Sequence, residues 1–358
     1  MERGTTAEQK RILTERIKMK ALELGFSHAG AIPCEDLPEY AAHVEARPSY
    51  DRFTKDNPAS FHAGCFPSRY FPQGRSIVCA TLGVGSVDYP GELTPLIGRF
   101  YLARSYVPQP ESLAGRRIEA LASFMESKGI EVYRGKIEYP ARYACVRAGI
   151  ATYGNNNFAY TEEDGSFAVM HAWLIDAELD YEVHEIVNGC PPGCRRCIDA
   201  CPTQAIEGPR ELNPMRCILL NNLMPEPAID TSLIGTHIHG CDACQEACPR
   251  NRAVLRKARA ERHRDPFLDR LAALFDLEKL LFLEGGFEGD CYRDIIQPVM
   301  YNYIRDPDIF RRNAARAMGN SGEARYIPAL ERAVRAFAGT IVEDEARVAI
   351  ERLSGDRS

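Results

Sequence analysis

The most informative stretch of this 358-residue sequence is Cys190-Pro-Pro-Gly-Cys-Arg-Arg-Cys-Ile-Asp-Ala-Cys-Pro202. A second run, Gly240-Cys-Asp-Ala-Cys-Gln-Glu-Ala-Cys-Pro249, lies downstream, and Cys217 stands between the two. Eight of the 13 cysteines thus fall between residues 190 and 248. Their spacings are C-x3-C-x2-C-x3-C-P and C-x2-C-x3-C-P, so the thiols are arranged in two short loops.

Runs of this spacing that end in Cys-Pro are typical of the cysteines that hold [4Fe–4S] clusters in bacterial ferredoxins. Each cubane needs four thiolates, so eight cysteines suit two clusters. The last cysteine of each run holds the other cluster, because the proline ends the loop and turns the chain away. The predicted ligands of the first cluster are Cys190, Cys194, Cys197 and Cys248, and those of the second are Cys201, Cys217, Cys241 and Cys244.

Structural zinc is the main alternative, because four-cysteine zinc sites also use paired C-x2-C elements. The interleaved ligand sets and the two Cys-Pro endings favour clusters. Disulfides fit less well, since the opening residues MERGTTAEQKRIL contain no apolar signal core and we expect a cytoplasmic protein. The remaining cysteines are expected to be small buried apolar side chains, and they are Cys34, Cys65, Cys79, Cys145 and Cys291.

The composition is that of a folded protein with more than one domain. Charged residues make up 26% of the chain, hydrophobic residues 45%, and the net charge is −6. No apolar stretch reaches the length of about 18 residues that a membrane helix needs, so no membrane association is expected. The length predicts two or three domains.

The predicted fold class is α+β. Alternating helix and strand patterns in residues 1–185 predict an α/β or α+β domain, residues 186–252 form the cluster domain, and residues 253–358 are helical. Two helical segments are similar at an offset of 32 residues, since Ala314, Ala317 and Met318 match Ala346, Ala349 and Ile350. That repeat predicts a HEAT-like region, with a plain helical bundle as the alternative.

Several segments resemble those of epoxyqueuosine reductases. The most specific are residues 240–251 and 194–206, and residues 312–322, 24–26 and 67–78 are similar as well. The resemblance implies an amino-terminal α/β corrinoid-binding domain, a ferredoxin-like double-cluster insert and a HEAT-like tail. It further implies that the clusters relay electrons from a ferredoxin or flavodoxin to a base-off cobalamin, which reduces the epoxide of a tRNA wobble base to give queuosine. Reductive dehalogenases share this catalytic plan.

The chain differs from this family around the expected active site. Gly135 stands where an ungapped comparison places the proton-donating Asp of the family, Asn155 replaces a lysine, and Tyr101 replaces a cysteine near the corrinoid. A reductive step still needs a proton donor beside the reduced centre. The candidates for catalysis are Glu138, Tyr101 and Tyr106.

The candidate corrinoid-binding residues are Gly154, Asn155, Asn156, Asn157 and His171. Consecutive Gly and Asn residues tolerate positive φ and can present backbone donors to a polar group. A simple tight turn is the alternative for residues 154–157, and a satisfied core histidine is the alternative for His171.

A basic stretch follows the second cysteine run. Residues 250–264 contain seven Lys and Arg residues and one acidic residue, Glu261. On a helix, Arg252, Arg256, Arg259 and His263 share one face, which could bind the tRNA backbone. A solvated helical face is the alternative.

Three functions are therefore compatible with the sequence. The first is a tRNA epoxyqueuosine reductase. The second is a corrinoid and iron–sulfur reductase that acts on another small molecule or on a corrinoid protein. The third is a non-catalytic [4Fe–4S] electron carrier.

Overall fold

A computed structural model of the chain describes residues 6–47, 61–106, 109–261, 265–300 and 304–355. His263 of the predicted basic face lies outside these ranges, and the placement of the Arg259 side chain is not described either. No helix within the described ranges is both long and apolar enough to cross a membrane.

The first half of the chain alternates helices and strands, as the sequence predicts. The helices are α1 (Ala7–Glu23), α2 (Pro38–Glu45), α3 (Phe61–Gly64), α4 (Arg99–Leu102), α5 (Leu113–Glu126) and α6 (Ala141–Arg147). The strands are β1 (His28–Pro33), β2 (Ser76–Gly83), β3 (Thr152–Tyr153), β4 (Ala159–Tyr160) and β5 (Ala168–Ile175). Helix α1 begins after Thr6, whose side chain forms a capping box with Gln9.

The main sheet has the strand order β1-β2-β5, and both of its pairings are antiparallel. This part of the chain is therefore α+β, and the predicted α/β alternative, which implies parallel strands, is wrong. The strand predicted at residues 130–133 is reduced to one bridge between Val132 and Ile175. Helices α1 and α5 cover one face of the sheet, and α6 packs on the other.

The cluster region consists of loops and short elements. These are α7 (Arg196–Asp199), β6 (Ile206–Gly208), β7 (Glu211–Leu212), α8 (Ile218–Leu223) and α9 (Ala243–Glu246). Strands β6 and β7 form a small antiparallel hairpin. Short elements are expected here, because each cysteine loop must bend back toward its cluster.

The remainder is helical. Its elements are α10 (Arg252–Glu261), α11 (Pro266–Leu274), α12 (Leu277–Phe282), a π-helix (Tyr292–Ile296), α13 (Gln297–Met300), α14 (Pro307–Asn320), α15 (Ile327–Ala336) and α16 (Ile341–Gly355). The core of these helices also contains Leu93, Ile97 and Leu102, so residues 89–102 pack with the carboxyl-terminal helices although they lie in the first half of the chain. The HEAT-like character of this region stays a prediction.

Buried polar side chains of α14 hold the segment between Cys217 and Cys241. Arg312 donates to the carbonyl of Met224 at 2.6 Å, and Asn313 donates to the carbonyls of Asn222 at 2.8 Å and Ile238 at 3.1 Å. Both side chains are almost fully buried. The helical region therefore fixes the path of the chain that leads into the second cysteine run.

Candidate functional site

The thiols predicted to hold the first cluster lie together. Burial raises the pKa of Cys197 to about 11. The neighbouring thiols of Cys190, Cys248 and Cys194 raise this pKa further. These are the three partners that the sequence assigns to Cys197. Cys248 thus reaches the first cysteine run from the far end of the second run.

The thiols predicted to hold the second cluster are grouped in the same way. Burial raises the pKa of Cys241 to about 12, with further contributions from Cys217 and Cys201. Burial also raises the pKa of Cys244, and the thiols of Cys217, Cys241, Cys197 and Cys201 add to the rise. Because Cys197 belongs to the first set, the two sets are adjacent.

The environment of these sulfurs fits [4Fe–4S] clusters. Backbone N–H groups are aimed at several of them, including Asn155 N–H to Cys190 Sγ at 3.3 Å and Ala205 N–H to Cys201 Sγ at 3.2 Å. Such bonds stabilise thiolates and tune cluster potentials. Within the described ranges, no group of three His, Cys, Asp or Glu side chains converges closely enough to hold one metal ion.

The Gly154–Asn157 segment is a turn between β3 and β4, and Asn157 has the predicted positive φ, at 63°. The Asn155 amide donates to the carbonyl of Cys194 at 2.7 Å. The Asn156 amide donates to the hydroxyl of Tyr160 at 2.9 Å and approaches the carbonyl of Cys244 at 3.5 Å. The two buried asparagines therefore fasten the turn to both cysteine runs, and each side-chain amide has a partner there.

The candidate catalytic residues come together although they lie far apart in the sequence. The rings of Tyr101 and Tyr106 are 5.7 Å apart, centroid to centroid. Tyr106 as a whole is 39% exposed, yet burial raises the pKa of its hydroxyl. The charge of Arg142 lowers this pKa, and that of Glu138 raises it further. Glu138 lies at the exposed rim, where partial burial raises its pKa. Two phenols, a carboxyl group and a guanidinium group thus share one region.

His171 lies on β5 beside this group. Burial lowers the pKa of its imidazole to about 4, against a smaller opposing effect of a hydrogen bond with the backbone of Ser105. Its Nε2 atom is buried and has no partner among the described residues, so the bond to Ser105 uses Nδ1. One ring nitrogen of His171 is thus without a partner in the described ranges, and both interpretations of this residue stay predictions.

Helix α4 connects this region to the second cysteine run through residues that the sequence did not single out. Arg99 donates from its backbone to Asp242 at 2.9 Å and forms an ion pair with it at 2.8 Å. The ring of Tyr101 lies 4.3 Å from that of His239, which is buried. Asp242 follows a predicted ligand directly, but nothing in the sequence near Arg99 indicates this pairing.

The predicted tRNA-binding arginines lie on α10. Arg252 and Arg256 are both exposed and lie one helical turn apart. Val254, which lies between them in the sequence, is buried against the first half of the chain. The two arginines whose side chains are described thus form a basic outer face on α10. Whether it binds RNA stays a prediction.

Residues 190–251 match the family described as a 4Fe-4S double cluster binding domain. This region thus resembles a domain that binds two [4Fe–4S] clusters.

The wider chain resembles epoxyqueuosine reductases. It is 28% identical to that of Pseudomonas aeruginosa over 95% of this chain and 94% of the relative, and 25% identical to that of Bacillus subtilis over 80% and 81%. It is also 28% identical to the Lactococcus garvieae enzyme, where the match spans 66% of either chain. The predicted resemblance is thus confirmed.

The fold agrees with this relationship. The epoxyqueuosine reductase of Streptococcus thermophilus superposes with a TM-score of 0.73 at 21% identity, covering 96% of this chain and 91% of that one. An epoxyqueuosine reductase crystallised with a tRNA-Tyr epoxyqueuosine-modified stem loop superposes with a TM-score of 0.68 at 23% identity, covering 96% and 99%.

Proposed function

We propose that this protein is an iron–sulfur oxidoreductase that reduces epoxyqueuosine in tRNA to queuosine. The observation that carries the proposal is the location of two adjacent four-cysteine sets next to a group of proton-bearing side chains. Tyr101 links the two, since its ring contacts both Tyr106 and His239. Relatives along most of the chain are epoxyqueuosine reductases. We expect the protein to act in the cytoplasm, where tRNA is modified.

The proposed cluster ligands are the two sets of thiols described above. The first set, at Cys190, Cys194, Cys197 and Cys248, has its loop at the surface, because residues 191–193 are exposed. The second set lies beside α4 and the candidate catalytic residues. We infer that a ferredoxin or flavodoxin delivers electrons at the first cluster and that they leave from the second.

Cobalamin is the proposed third cofactor. The unpartnered Nε2 of His171, beside Ser105 and Tyr106, fits a bound group on this side of the sheet. Bound there, cobalamin would supply a low-potential cobalt centre that passes electrons to the substrate. Residues 154–157 are proposed to contribute only backbone to its site, because the Asn155 and Asn156 amides bind the cysteine runs.

The chemistry defines what the side chains must do. Conversion of an epoxide to an alkene consumes two electrons and two protons and releases water. Tyr106 and Glu138 are the proposed proton sources, because burial raises the pKa of each and keeps a larger fraction of the group protonated. Arg142 is placed to stabilise negative charge on the departing oxygen through its effect on Tyr106.

The experiment is anaerobic reconstitution with iron, sulfide and cobalamin, followed by incubation with an epoxyqueuosine-modified tRNA stem loop and a chemical reductant. Mass spectrometry should show queuosine, and EPR should show cob(II)alamin and reduced clusters. Retention of both EPR signals without queuosine would reject the tRNA substrate. Two clusters without corrinoid binding would indicate the electron carrier instead.

A second candidate function is reduction of a different small molecule or of a corrinoid protein. The observation that favours it is at Gly135, where the family has its Asp. The hydroxyl of Tyr133 occupies the space in which a side chain at position 135 would begin. Failure to restore queuosine in a queuosine-deficient strain, together with cobalamin binding in vitro, would support this second candidate.

A further inference from the structure

Three arginines are held by backbone groups at one place near the candidate site. Arg47 donates to the carbonyl of Leu212 at 2.7 Å, and Arg142 donates to the carbonyl of Asn157 at 2.9 Å. The backbone N–H of Arg210 donates to the carbonyl of Asn155 at 2.9 Å. The three arginines are therefore anchored at the β3–β4 turn and the β6–β7 hairpin. The bond from Arg210 to Asn155 joins these two elements.

Contacts and shared neighbours place the three guanidinium groups in one region, because Arg47 lies 2.7 Å from a ring nitrogen of His43 and Arg210 lies over the Tyr153 ring at 5.0 Å. Burial raises the pKa of Tyr40, and both Arg142 and Arg47 oppose the rise. Burial raises the pKa of Tyr153, opposed by Arg142 and Arg210. Burial lowers the pKa of His43, and Arg47 and Arg210 lower it further. Each pair of arginines thus acts on one common side chain.

These cations lack carboxylate partners. Within the part of the chain that the structure describes, Arg47, Arg142 and Arg210 form no ion pair, whereas Arg134 is paired with Glu119 and Glu126. Arg142 and Arg210 are exposed and Arg47 is half-buried. Arg210 has a left-handed backbone with φ of 67°, a conformation that non-glycine residues seldom adopt. In a chain of net charge −6, three converging arginines with no ion pair to a described residue suit an anion.

We propose that Arg47, Arg142 and Arg210 bind a phosphodiester of the RNA substrate and thereby position the reacting nucleoside beside Tyr106. The guanidinium fork matches phosphate geometry, and phosphate contacts fix the register of a nucleic acid on its protein. This inference rests on the proposed function and places an RNA contact at the β3–β4 turn and the β6–β7 hairpin, in addition to the contact predicted on α10. The nucleotide tail of cobalamin carries the same phosphodiester chemistry, so the test must separate the two sources.

The test measures binding of an unmodified tRNA anticodon stem loop to the cluster-loaded protein by fluorescence anisotropy at several salt concentrations. Arg47→Gln, Arg142→Gln and Arg210→Gln should each weaken binding about tenfold, as expected for a lost charge-assisted hydrogen bond. Each should also reduce the slope of log affinity against log salt by about 0.7 to 0.9. Arg134→Gln, the matched control, should change neither quantity. The conservative Arg142→Lys should keep most of the salt slope, since it retains the charge.

Unchanged RNA affinity and unchanged salt slope in all three variants, with wild-type cluster EPR spectra, would overturn the proposal. A parallel titration compares cobalamin with cobinamide, which lacks the nucleotide phosphodiester. Weakened cobalamin binding with unchanged cobinamide and RNA binding would assign the arginines to the cofactor and reject the RNA contact. Because the RNA is unmodified, a failure of epoxide reduction leaves this measurement intact and tests the proposed function alone.

Discussion

The backbone N–H of Asn155 donates a hydrogen bond to Sγ of Cys190 at 3.3 Å, while the side chain of the same residue donates to the carbonyl of Cys194 at 2.7 Å. Asn155 thus holds both ends of the loop Cys190-Pro-Pro-Gly-Cys194, which is one residue longer than the equivalent spacing in the second run. The extra length is accommodated because Gly193 adopts a φ of 74°. The neighbouring Asn156 approaches the carbonyl of Cys244 instead.

This arrangement predicts that the two asparagines tune different clusters. Asn155→Ala should shift the potential of the cluster at Cys190 by roughly 40 mV, which corresponds to about 1 kcal/mol for one electron, because its loop loses a hydrogen bond. Asn156→Ala should affect the cluster at Cys244 instead. Redox titrations followed by EPR measure both, and a shift of the same cluster in both variants would contradict the assignment.

The crossed ligand sets predict the outcome of removing Cys248. Cys248→Ser should remove the cluster whose other ligands are Cys190, Cys194 and Cys197, although it lies in the second run. The protein should then keep one [4Fe–4S] cluster, so its iron content should fall by about half. Cys291→Ser is the control, because Cys291 lies among the carboxyl-terminal helices and should leave iron content unchanged. Loss of both clusters in Cys248→Ser would argue against separate ligand sets.

The depressed pKa of His171 predicts a dependence of stability on pH. The unfolded chain takes up a proton near pH 6.5, whereas the folded imidazole does so only near pH 4. The stability associated with neutral His171 is therefore complete above pH 6.5 and is lost as pH falls toward 4. At pH 5.5 the loss should be about 1 kcal/mol.

Melting temperatures at pH 7.5 and pH 5.5 measure this effect. The decrease should be smaller in His171→Phe than in the wild type, since Phe has no proton to bind. His184→Phe, at an exposed position, should show the wild-type decrease. Equal decreases in all three proteins would show that His171 contributes nothing to acid sensitivity.

The buried ion pair between Arg316 and Glu345, at 3.1 Å, predicts an asymmetric response to substitution. Glu345→Gln leaves the buried guanidinium of Arg316 without its charge partner and should destabilise the protein by about 3 to 5 kcal/mol. The double variant Arg316→Met with Glu345→Leu should be less destabilised, because neither charge stays buried alone. Glu343→Gln, which removes a pair with the exposed side chain of Arg347, should cost less than about 1 kcal/mol. Urea denaturation measures all three.

The grouping of the eight cysteines could be predicted from sequence because their spacing is local, whereas the assignment of each thiol to a cluster stays a prediction. Once the two Cys-Pro endings are recognised, the exchange of Cys201 and Cys248 between the runs follows from the turn that each proline imposes. The helices could also be predicted from sequence, because the cap at Thr6 and the apolar spacing of α14 and α16 are local signals.

The strand pairing and the surroundings of the candidate site could not be read in this way. The antiparallel order β1-β2-β5 joins residues that are far apart in the chain, and nothing near Cys79 indicates its pairing with Ala172. The turn at Asn155 and Asn156 was expected to present backbone donors to a corrinoid, because turn chemistry is visible in sequence. The bonds of the two side chains to the cysteine runs were not predicted, because distant partners are not visible there. The contact of Arg99 with Asp242 is likewise a consequence of packing across the chain.

The separation of the ligands along the chain has a consequence for biosynthesis. Cys190, Cys194 and Cys197 leave the ribosome well before Cys248, and Arg312, which holds the segment after Cys217, is synthesised later still. Three thiols of one set must therefore wait, reduced and without their fourth partner, while the rest of the chain is made. On the proposed ligand assignment, the first cluster cannot be completed until Cys248 has been synthesised, so its insertion comes late in the synthesis of the cysteine-rich region.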